Sequence, residues 1–447
     1  MASTPDVSVD GTHVTTPADD APTNRRAARK AAGAAAIATS LEWYDFFIYA
    51  TAAAMVFNQT FFATDSEVVA AMNSFATVAV GFVARPIGGI VSGHFGDKFG
   101  RKPVLVAAIL LMGVATTLIG FVPTTSVVWL APTILIILRL CQGLAVGAQW
   151  GGAVLLATEY APANRRGFYG SFAQLGIPIG VIVGNAIFLI IAASTASDAF
   201  ISWGWRIPFW ISLFMLVVAY VIHRYLEETP EFRRIEAKLA AAPAQRRSPL
   251  LEVLRNNSGT VLMAGGTYLV GIVMFYITIT GSAQVATTNL GIPRSDVLAI
   301  ILVATAVLIP MVPLTAYLSD RFGRKLIYGI GIIGMGIWAI PMWLLMGASS
   351  PTNIWPLAIA LVVSCFVMSF QTGPQAALFA ELFPAEVRYS GASLGYQAAA
   401  VLGGMAPMVM VALINGSTAN FWRVGVLTVA LAVFAVACLA VLARRKY

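Results

Sequence analysis

The sequence predicts an all-α, polytopic membrane protein whose twelve transmembrane helices form two six-helix bundles. Hydrophobic residues make up 58% of the 447-residue chain and charged residues only 11%, against roughly 25% charged residues in ordinary soluble domains. About twelve apolar runs are long enough to cross a bilayer, which takes about 20 residues each. These runs show no strict alternation, so helices are favoured, because backbone polar groups in lipid must be paired within the segment or within a closed barrel.

The predicted spans fall into two halves separated by a polar linker. They cover 33–57, 67–92, 103–122, 128–157, 167–194 and 204–224 in the first half, and 258–283, 296–317, 326–347, 354–380, 391–414 and 421–442 in the second. Accordingly we expect a disordered cytoplasmic tail over 1–32, an N-terminal bundle over 33–224, a cytoplasmic linker over 225–257, and a C-terminal bundle with a short tail over 258–447.

The positions of the basic residues along the chain indicate its membrane topology. If the N-terminus is cytoplasmic, most of the 28 Lys and Arg residues lie in loops on that same side. This bias is the positive-inside pattern, and it predicts that both termini are cytoplasmic. The net charge of +8 therefore needs no nucleic-acid partner, and we expect a multi-pass protein of the cell (inner) membrane in contact with the lipid bilayer.

The chain carries an internal duplication. Segments 96–102 and 319–325 are nearly the same seven residues, and both lie between long apolar runs. Arg166 and Arg388, at the ends of equivalent loops, are 222 positions apart, close to the spacing of those two segments. A duplicated membrane protein is typical of transporters, whose substrate site lies between the halves near the bilayer midplane.

Several motifs resemble those of a known family. Segment 93–102 resembles the loop 2–3 motif of the major facilitator superfamily, and 139–147 resembles its span-four motif. The segments that resemble its metabolite:H+ symporter family are 42–46, 85–89, 203–209 and 227–232. The resemblance covers residues 33–442. Members carry shikimate, 2-oxoglutarate, citrate and other organic acids, or proline and betaine, into bacteria with protons, so it implies proton-coupled uptake of a small organic acid, driven by the proton motive force without a metal or other cofactor.

The duplicated turn predicts a gate at the cytoplasmic surface. Its glycines permit a tight turn and close helix approach, and its acidic and basic residues are placed to pair across neighbouring helix ends. The alternative is a solvated loop that only sets orientation. Because Ala316 stands where the first copy has Gly93, we expect looser packing there, and Asp97 should matter more than Asp320. The predicted gate residues are Gly93, Asp97, Arg101, Lys102, Glu159, Arg166, Asp320, Arg324, Glu381 and Arg388.

Two carboxylates in the first span are candidates for proton coupling. Glu42 and Asp45 are three residues apart and share one helix face, and carboxylates at membrane depth are costly and therefore indicate function. Asp45 lies about 12 residues into its span, near the midplane. Burial and a nearby cation have opposite effects on its affinity for a proton. We predict that Asp45 carries the proton; Glu42 is the alternative, and a purely structural ion pair is the third possibility.

Arg139 in span four is the expected counter-charge. Its planar guanidinium is suited to bidentate binding of a carboxylate, so it is either a ligand of the substrate or a constant partner of Asp45. The two roles are compatible if protonation of Asp45 frees Arg139 for an anion. Arg85 lies deeper in span two and could extend to the inner surface, and the sequence leaves its role open between structure and function.

Polar and amphipathic residues within the apolar spans predict a cavity between the halves. Each alone could be a helix–helix contact, but together they suit a small hydroxylated or carboxylated solute. They are Tyr44, Gln142, Gln149, Trp150, Gln174, Tyr268, Tyr276, Gln371, Gln375, Tyr396 and Gln397. In contrast, Gly143, Gly147 and Gly151 recur every four residues and predict a strip for close helix packing.

Other functions remain as alternatives. A proton-coupled symporter of proline or betaine, or an uncoupled facilitator, would share the same helices. A membrane enzyme is disfavoured, because the chain has no His-Glu-x-x-His motif, no phosphate-binding glycine loop and no Cys/His cluster with metal-ligand spacing. The identity of the substrate does not follow from the sequence. One chain holds both halves, so we expect a functional monomer.

Overall fold

A computed structural model of the protein describes residues 25–57, 60–62, 67–124, 129–225, 237, 253 and 255–444. Within these residues the chain is helical almost throughout, and the β pairing is limited to an isolated bridge between Ser350 and Asn353. The prediction of an all-α protein is confirmed. The predictions for residues 1–24, for most of the linker and for the tail after Arg444 lie outside the described residues.

Six helical spans make up the first half. They are α1 (Arg25–Ala52, followed by a π-helical turn over Ala53–Phe57), α2 (Glu67–Phe99), α3 (Arg101–Ile119), α4 (Leu130–Glu159), α5 (Arg166–Ser194) and α6 (Phe214–Tyr225). The short helical segments that precede α5 and α6 are Ala163–Arg165, Ser197–Ser202, Gly204–Arg206 and Ile207–Ile211.

The second half repeats this order. Its spans are α7 (Ser258–Tyr276, with a π-helical turn over Ile277–Gly281 and a last segment Ser282–Thr288), α8 (Arg294–Phe322), α9 (Arg324–Gly347), α10 (Trp355–Glu381), α11 (Arg388–Gly404 and then Ala406–Ile414) and α12 (Phe421–Arg444). Single 3-10 turns over Ala385–Val387 and Thr418–Asn420 precede α11 and α12.

The start of α1 corrects the predicted tail. The helix begins at Arg25, eight residues before the predicted boundary at 33. This segment is rich in alanine, the strongest helix former. Ala28 and Ala32 are buried with Tyr169 in one small cluster, so the extra turns pack against the start of α5. The tail can therefore be no longer than residues 1–24.

Ten of the twelve spans in the described part of the chain have an apolar stretch long enough to cross a membrane. The remaining two, α1 and α2, carry three of the four charged side chains of the site described below, Glu42, Asp45 and Arg85. Large apolar side chains cover the outer surface, as Ile337, Leu344 and Val433 do, each more than 60% exposed. A surface of this kind is suited to hydrocarbon.

The two halves pack in the same way. In the first half α1 packs along α5 and α2 along α4, and in the second half α7 packs along α11 and α8 along α10. The π-helical turns also fall at equivalent places, near the end of α1 and within α7. Between the halves, α2 contacts α11, and α5 contacts both α8 and α10. The duplication seen in the sequence is therefore a duplication of structure.

The predicted glycine strip of α4 is confirmed. A Cβ atom on Gly143 would collide with the backbone of Gly81 in α2, and one on Gly147 would collide with the carbonyl of Arg85. Gly151 faces Ser393 of α11 in the other bundle. Only glycine allows α4 this close to both neighbours.

Substitution of Gly147 by valine should destabilise the protein strongly. The side chain would be forced into backbone atoms that have no rotamer to relieve the collision, so we expect a loss of about 3 kcal/mol or more in unfolding free energy. Thermal unfolding of the purified protein measures this loss of stability.

Gly33→Ala is the matched control. Gly33 lies within α1 and a Cβ there would meet nothing within 4 Å, so alanine should be neutral or stabilise the helix by up to about 1 kcal/mol. Equal effects of the two substitutions would contradict the packing account.

Candidate functional site

Four charged side chains lie buried in the middle of the first bundle. Glu42 and Asp45 on α1 are each 1% exposed, and Arg85 on α2 and Arg139 on α4 are each 4% exposed. They form two separate ion pairs. Since an unpaired charge in such surroundings costs several kcal/mol, each acid requires its base.

Asp45 is held by three side chains of its own bundle. Its Oδ1 accepts hydrogen bonds from the Thr116 hydroxyl of α3 and from Nε2 of Gln142, the latter at 2.7 Å. Nε2 of Gln142 also lies 2.9 Å from Thr116 Oγ1. Nη1 of Arg139 is 3.8 Å from Asp45 Oδ2 and donates to Gln142 Oε1 at 3.2 Å. The carboxylate thus accepts hydrogen bonds from two neutral donors in addition to its pairing with Arg139.

Arg139 is enclosed by α1 and α2. Its guanidinium lies 4.2 Å from the ring centroid of Tyr49 and 5.7 Å from that of Phe46. A Cβ atom on Gly81 would meet its Nε at 2.7 Å. Of the two roles predicted for Arg139, this enclosure fits the partner of Asp45 better than a ligand that reaches across to the second bundle.

Glu42 and Arg85 form the second pair. Nη2 of Arg85 donates to Glu42 Oε1 at 3.0 Å, and Oε2 of Glu42 has no hydrogen-bond partner among the described residues. The guanidinium lies 5.2 Å from the ring centroid of Phe82, which in turn contacts Tyr276 of α7 at 5.7 Å. Arg85, whose role the sequence leaves open, does not extend to the membrane surface, because its charge is satisfied inside by Glu42.

Aromatic rings fill the interface between the bundles. Trp150 stacks on Tyr396 with ring centroids 3.9 Å apart and planes at 14°, and Tyr396 stacks on Tyr268 at 5.0 Å. Trp43 meets Phe275 edge to face at 5.1 Å. These contacts bring α1 and α4 of the first bundle against α7 and α11 of the second.

Amide side chains join the same interface. Gln174 of α5 donates to Gln375 of α10 at 2.9 Å and accepts from the Trp150 indole at 3.2 Å. Gln397 of α11 donates to the carbonyl of Gly147 at 3.4 Å. The cavity beside Gln174 measures about 20 Å³, room for about one water molecule. Seven predicted cavity residues lie here between the bundles: Trp150, Gln174, Tyr268, Tyr276, Gln375, Tyr396 and Gln397.

Other predicted cavity residues bind within their own bundle. The Tyr44 hydroxyl donates to the carbonyl of Pro208 at 2.6 Å, and Gln142 belongs to the Asp45 network. Gln149 donates to the carbonyl of Ala38 at 2.8 Å, and Gln371 makes the equivalent contact in the second bundle, to the carbonyl of Thr267 at 2.9 Å. Gln149 and Gln371 are therefore duplicated helix–helix contacts.

Several contacting residues were not predicted from the sequence. Thr116 gave only a weak signal, a hydroxyl within an apolar run. Trp43 and Phe46 belong to the motif 42–46, which does not say what they contact. Phe82 and Phe275 gave no signal, because an aromatic residue that faces the other bundle has the same sequence pattern as one that faces lipid.

The predicted gate lies where the loops 99–101, 159–166, 322–324 and 381–388 meet, which we call the basic end. There Asp320 at the end of α8 accepts hydrogen bonds from the backbone N–H groups of Gly167 and Phe168, both at 2.8 Å. These groups belong to the first turn of α5, whose N–H groups have no partner within the helix. Arg324 pairs with the same carboxylate at 3.0 Å. Asp320 thus caps a helix of the opposite bundle.

Glu159 makes the second set of ion pairs at the basic end. It lies 3.6 Å from Arg101 of its own bundle and 3.6 Å from Arg388 of the other. Arg101 also donates to the carbonyl of Ala385 across the interface at 3.0 Å. In the second half, Arg324 and Glu381 form the pair equivalent to Arg101 and Glu159, at 2.6 Å. The alternative of a solvated loop does not fit these ion pairs, which join the bundles as the predicted gate requires.

Glycines bring the helices together at both copies of the turn. A Cβ atom on Gly93 would meet Ser390 Cα at 2.8 Å, and one on Gly167 would meet the carbonyl of Ala316 at 2.9 Å. We expected Ala316 to loosen the second contact. It does not, because Gly167 on the facing helix supplies the close approach.

The structure describes fewer contacts for three further gate residues, Asp97, Lys102 and Arg166. The side chain of Asp97 lies outside the described residues, so its greater weight relative to Asp320 stays a prediction. Lys102 and Arg166 lie at the first turns of α3 and α5.

Comparison with known proteins places the chain among membrane carriers. The family model described as "Sugar (and other) transporter" matches residues 31–252 and 249–444. The chain is 36% identical to the shikimate transporter of Escherichia coli (strain K12) over 420 residues, or 94% of this chain and 95% of that protein. It is 40% identical to the inner membrane metabolite transport protein YhjE of the same organism over 379 residues, 83% and 84% of the two chains.

Among solved structures, the proton:xylose symporter XylE bound to 6-bromo-6-deoxy-D-glucose is similar with a TM-score of 0.77. The match covers 93% of this chain and 95% of that chain. The two sequences are only 20% identical, so this likeness shows the fold alone.

Replacement of Asp320 by asparagine should loosen the basic end. Asparagine retains one acceptor oxygen but loses the charge that attracts Arg324 and the positive end of the α5 dipole. We expect a several-fold faster reaction of a thiol-specific reagent with a cysteine introduced at Ser393, which is fully buried in the closed interface, in a background without the native cysteines.

Asp296→Asn is the matched control, because Asp296 lies on the first turn of the same helix at its opposite, exposed end. It should leave the labelling rate unchanged. An unchanged rate in Asp320→Asn would show that this cap does not hold the interface closed.

Proposed function

We propose, since this chain belongs to the sugar (and other) transporter family within the major facilitator superfamily, that it takes up a small organic acid by proton symport. The family match and the membrane-spanning helices make it a multi-pass membrane transporter with the two-bundle fold of that superfamily. The proposal concerns the coupling ion and the class of substrate. The observation that carries it is the buried pair of Asp45 with Arg139.

A proton on Asp45 would remove the negative charge of this ion pair. When Asp45 is neutral, Arg139 keeps its contacts with Gln142 and the ring of Tyr49, but it loses its counter-charge. The hydrogen bonds from Thr116 and Gln142 suit an ionised carboxylate that accepts them. Proton binding would therefore favour a different arrangement of α1 and α4, which is the requirement for a transporter that couples protons to alternating access.

The interface between the bundles supports an acid as the substrate. Arg85 is its cation, and the hydroxyls of Tyr276 and Tyr396 lie buried there without a hydrogen bond from the described residues. Aromatic faces and unpaired hydroxyls suit a small ring or chain that carries hydroxyl groups as well as a carboxylate. The relative named as a shikimate transporter points to the same chemistry, a hydroxylated monocarboxylate.

A zwitterion such as proline or betaine is the second candidate. It is favoured by the proximity of Glu42 to Arg85, since a site with both signs of charge offers a partner for an ammonium group as well as for a carboxylate. The uncoupled facilitator differs only in that its solute flux moves no protons.

The remaining features of the proposal follow from topology. We place both termini and the basic end in the cytoplasm, on the positive-inside pattern. We further propose that the proton motive force is the energy source, with no cofactor, and that one chain works as a monomer because it contains both bundles.

A thermal-shift screen tests the substrate class. Shikimate, 2-oxoglutarate, glycine betaine and xylose are added separately to the purified protein, and a bound solute raises the unfolding temperature by mass action. The proposal expects stabilisation by an acid. Stabilisation by glycine betaine or xylose alone would replace it.

Asp45→Asn should separate transport from its energy source. In proteoliposomes with an inward gradient of about one pH unit, a single coupled proton supports about tenfold accumulation. The wild-type protein should approach that ratio with shikimate. The variant should only equalise the two concentrations, while exchange of labelled for unlabelled shikimate continues.

Asp296→Asn again serves as the control and should accumulate as the wild type does. Full gradient-driven accumulation by Asp45→Asn would refute the proton assignment. Equilibration by the wild type without accumulation would favour a facilitator, and accumulation without proton flux would favour another coupling ion.

A further inference from the structure

We propose that Arg85 is the ligand for the substrate carboxylate, and that Glu42 occupies this guanidinium until a substrate displaces it and Glu42 takes up a proton. The inference rests on the proposed function, because it assigns a site to the anion that the function requires. It differs in naming a second ion pair, rather than Asp45 and Arg139, as the place where substrate and proton compete.

The geometry of the Glu42 contact leaves it open to displacement. One nitrogen of Arg85 meets one oxygen of Glu42 at 3.0 Å, although a guanidinium and a carboxylate form their strongest contact through two parallel hydrogen bonds. The second oxygen of Glu42 is buried and receives no hydrogen bond from the described part of the chain. A substrate carboxylate that binds both nitrogens would gain more than Glu42 does.

The pair also faces the second bundle more closely than Asp45 and Arg139 do, because Arg85 interacts with both Tyr276 and Tyr396, whereas of these two tyrosines only Tyr276 interacts with Arg139. Arg85 lies over Phe82, and Phe82 contacts both Tyr276 of α7 and Phe46 of α1. The neighbouring α11 is also close: a Cβ atom on Gly89 of α2 would meet the side chain of Gln397 of α11 at 3.3 Å. A solute held between the bundles therefore meets more hydroxyls of the second bundle at Arg85 than at Arg139.

Buried polar atoms without partners mark the rest of this site. They are Glu42 Oε2 and Gln397 Oε1. The hydroxyls of Tyr276 and Tyr396 make no hydrogen bond of good geometry, but they lie beside Arg85 and Tyr268 respectively. A buried polar group that makes no hydrogen bond is costly, and the hydroxyl groups of a substrate would supply the missing partners. Two hydroxyls, one amide oxygen and one guanidinium form a suitable set for a hydroxylated monocarboxylate.

Charge balance requires that the proton accompany the anion. The charged groups buried at this depth in the described residues are two acids, Glu42 and Asp45, and two bases, Arg85 and Arg139, so their net charge is zero. An anion alone would leave one uncompensated negative charge in surroundings of low dielectric constant, which is strongly unfavourable. One proton per monocarboxylate restores neutrality, and transport is then electroneutral.

Glu42 is the group that releases its partner when it gains a proton. The charged or titratable groups around it are Arg85 from α2, Asp45 on its own helix, and Tyr276 and Tyr396 from the second bundle. The proton binds a carboxylate oxygen of Glu42, the ion pair with Arg85 ends, and the guanidinium binds the substrate. After the substrate leaves on the other side, Glu42 passes this proton to Asp45, which shares its helix face and releases it, and the pair of Arg85 with Glu42 forms again.

The test measures the pH dependence of shikimate binding by calorimetry on the purified full chain, from about pH 6 to 9, where the probe stays ionised. One proton taken up per anion means that affinity falls about tenfold for each pH unit over which free Glu42 is ionised. Glu42→Gln removes the competing charge, so its affinity should be nearly independent of pH and exceed that of the wild type at high pH. Asp296→Asn, remote from both ion pairs, is the control and should keep the wild-type slope.

The opposite pattern would overturn the inference while leaving proton symport intact. If Glu42→Gln keeps the wild-type slope, the substrate does not compete with Glu42. If Asp45→Asn loses the slope instead, the proton that accompanies the substrate binds Asp45. If the wild-type protein binds neither shikimate nor 2-oxoglutarate at any pH, the proposed function itself fails and the assignment of Arg85 with it.

A second variant keeps the test decisive if Glu42→Gln does not fold. Arg85→Lys retains the charge but not the planar fork, so shikimate affinity should fall more than about tenfold, as expected for the loss of a bidentate contact. Arg206→Lys is the matched control, because Arg206 donates to the carbonyls of Gly120 and Val122 in the first bundle. Equal affinities in Arg85→Lys and the control would refute the carboxylate site.

Discussion

The need to compensate two carboxylates on one turn of α1 governs the interior of this protein. Glu42 and Asp45 share a helix face but are paired in different directions, with Arg85 on α2 and Arg139 on α4. Each pair draws its base from a separate helix, so α1, α2 and α4 must approach closely. The glycines that permit this approach, Gly143 and Gly147, follow from the same requirement.

The contacts between the bundles are unevenly distributed. At the basic end Asp320 caps α5, and Glu159 binds arginines of both halves. Nearer the middle of the membrane, the interface consists of stacked rings and amides around a cavity of about 20 Å³. The ion pairs are strong in low dielectric surroundings but break once water enters. Such contacts suit an interface that must open and close, whereas the fully buried core of each bundle stays packed.

The sequence predicted much of this arrangement from charge and position alone. A carboxylate and an arginine at membrane depth must find partners, so Asp45 and Arg139 were expected to meet, and they do. The role of Arg85 was not predictable, since its distance from the helix end allows either a path to the surface or a partner inside. Tyr44 and Gln149 show the same limit: their polarity identified them, but the face on which they lie directed them to backbone carbonyls of their own bundle.

The amino-acid sequence by itself determined the membrane class, the duplication and the depth of the charged residues, because these depend only on composition and order along the chain. The tertiary structure alone decided which acid pairs with which base and which rings meet across the interface. The physical reason is rotation about the helix axis. Hydrophobic runs in lipid are apolar on all sides, so their sequence does not specify the rotation, and only packing against the neighbouring helices determines it.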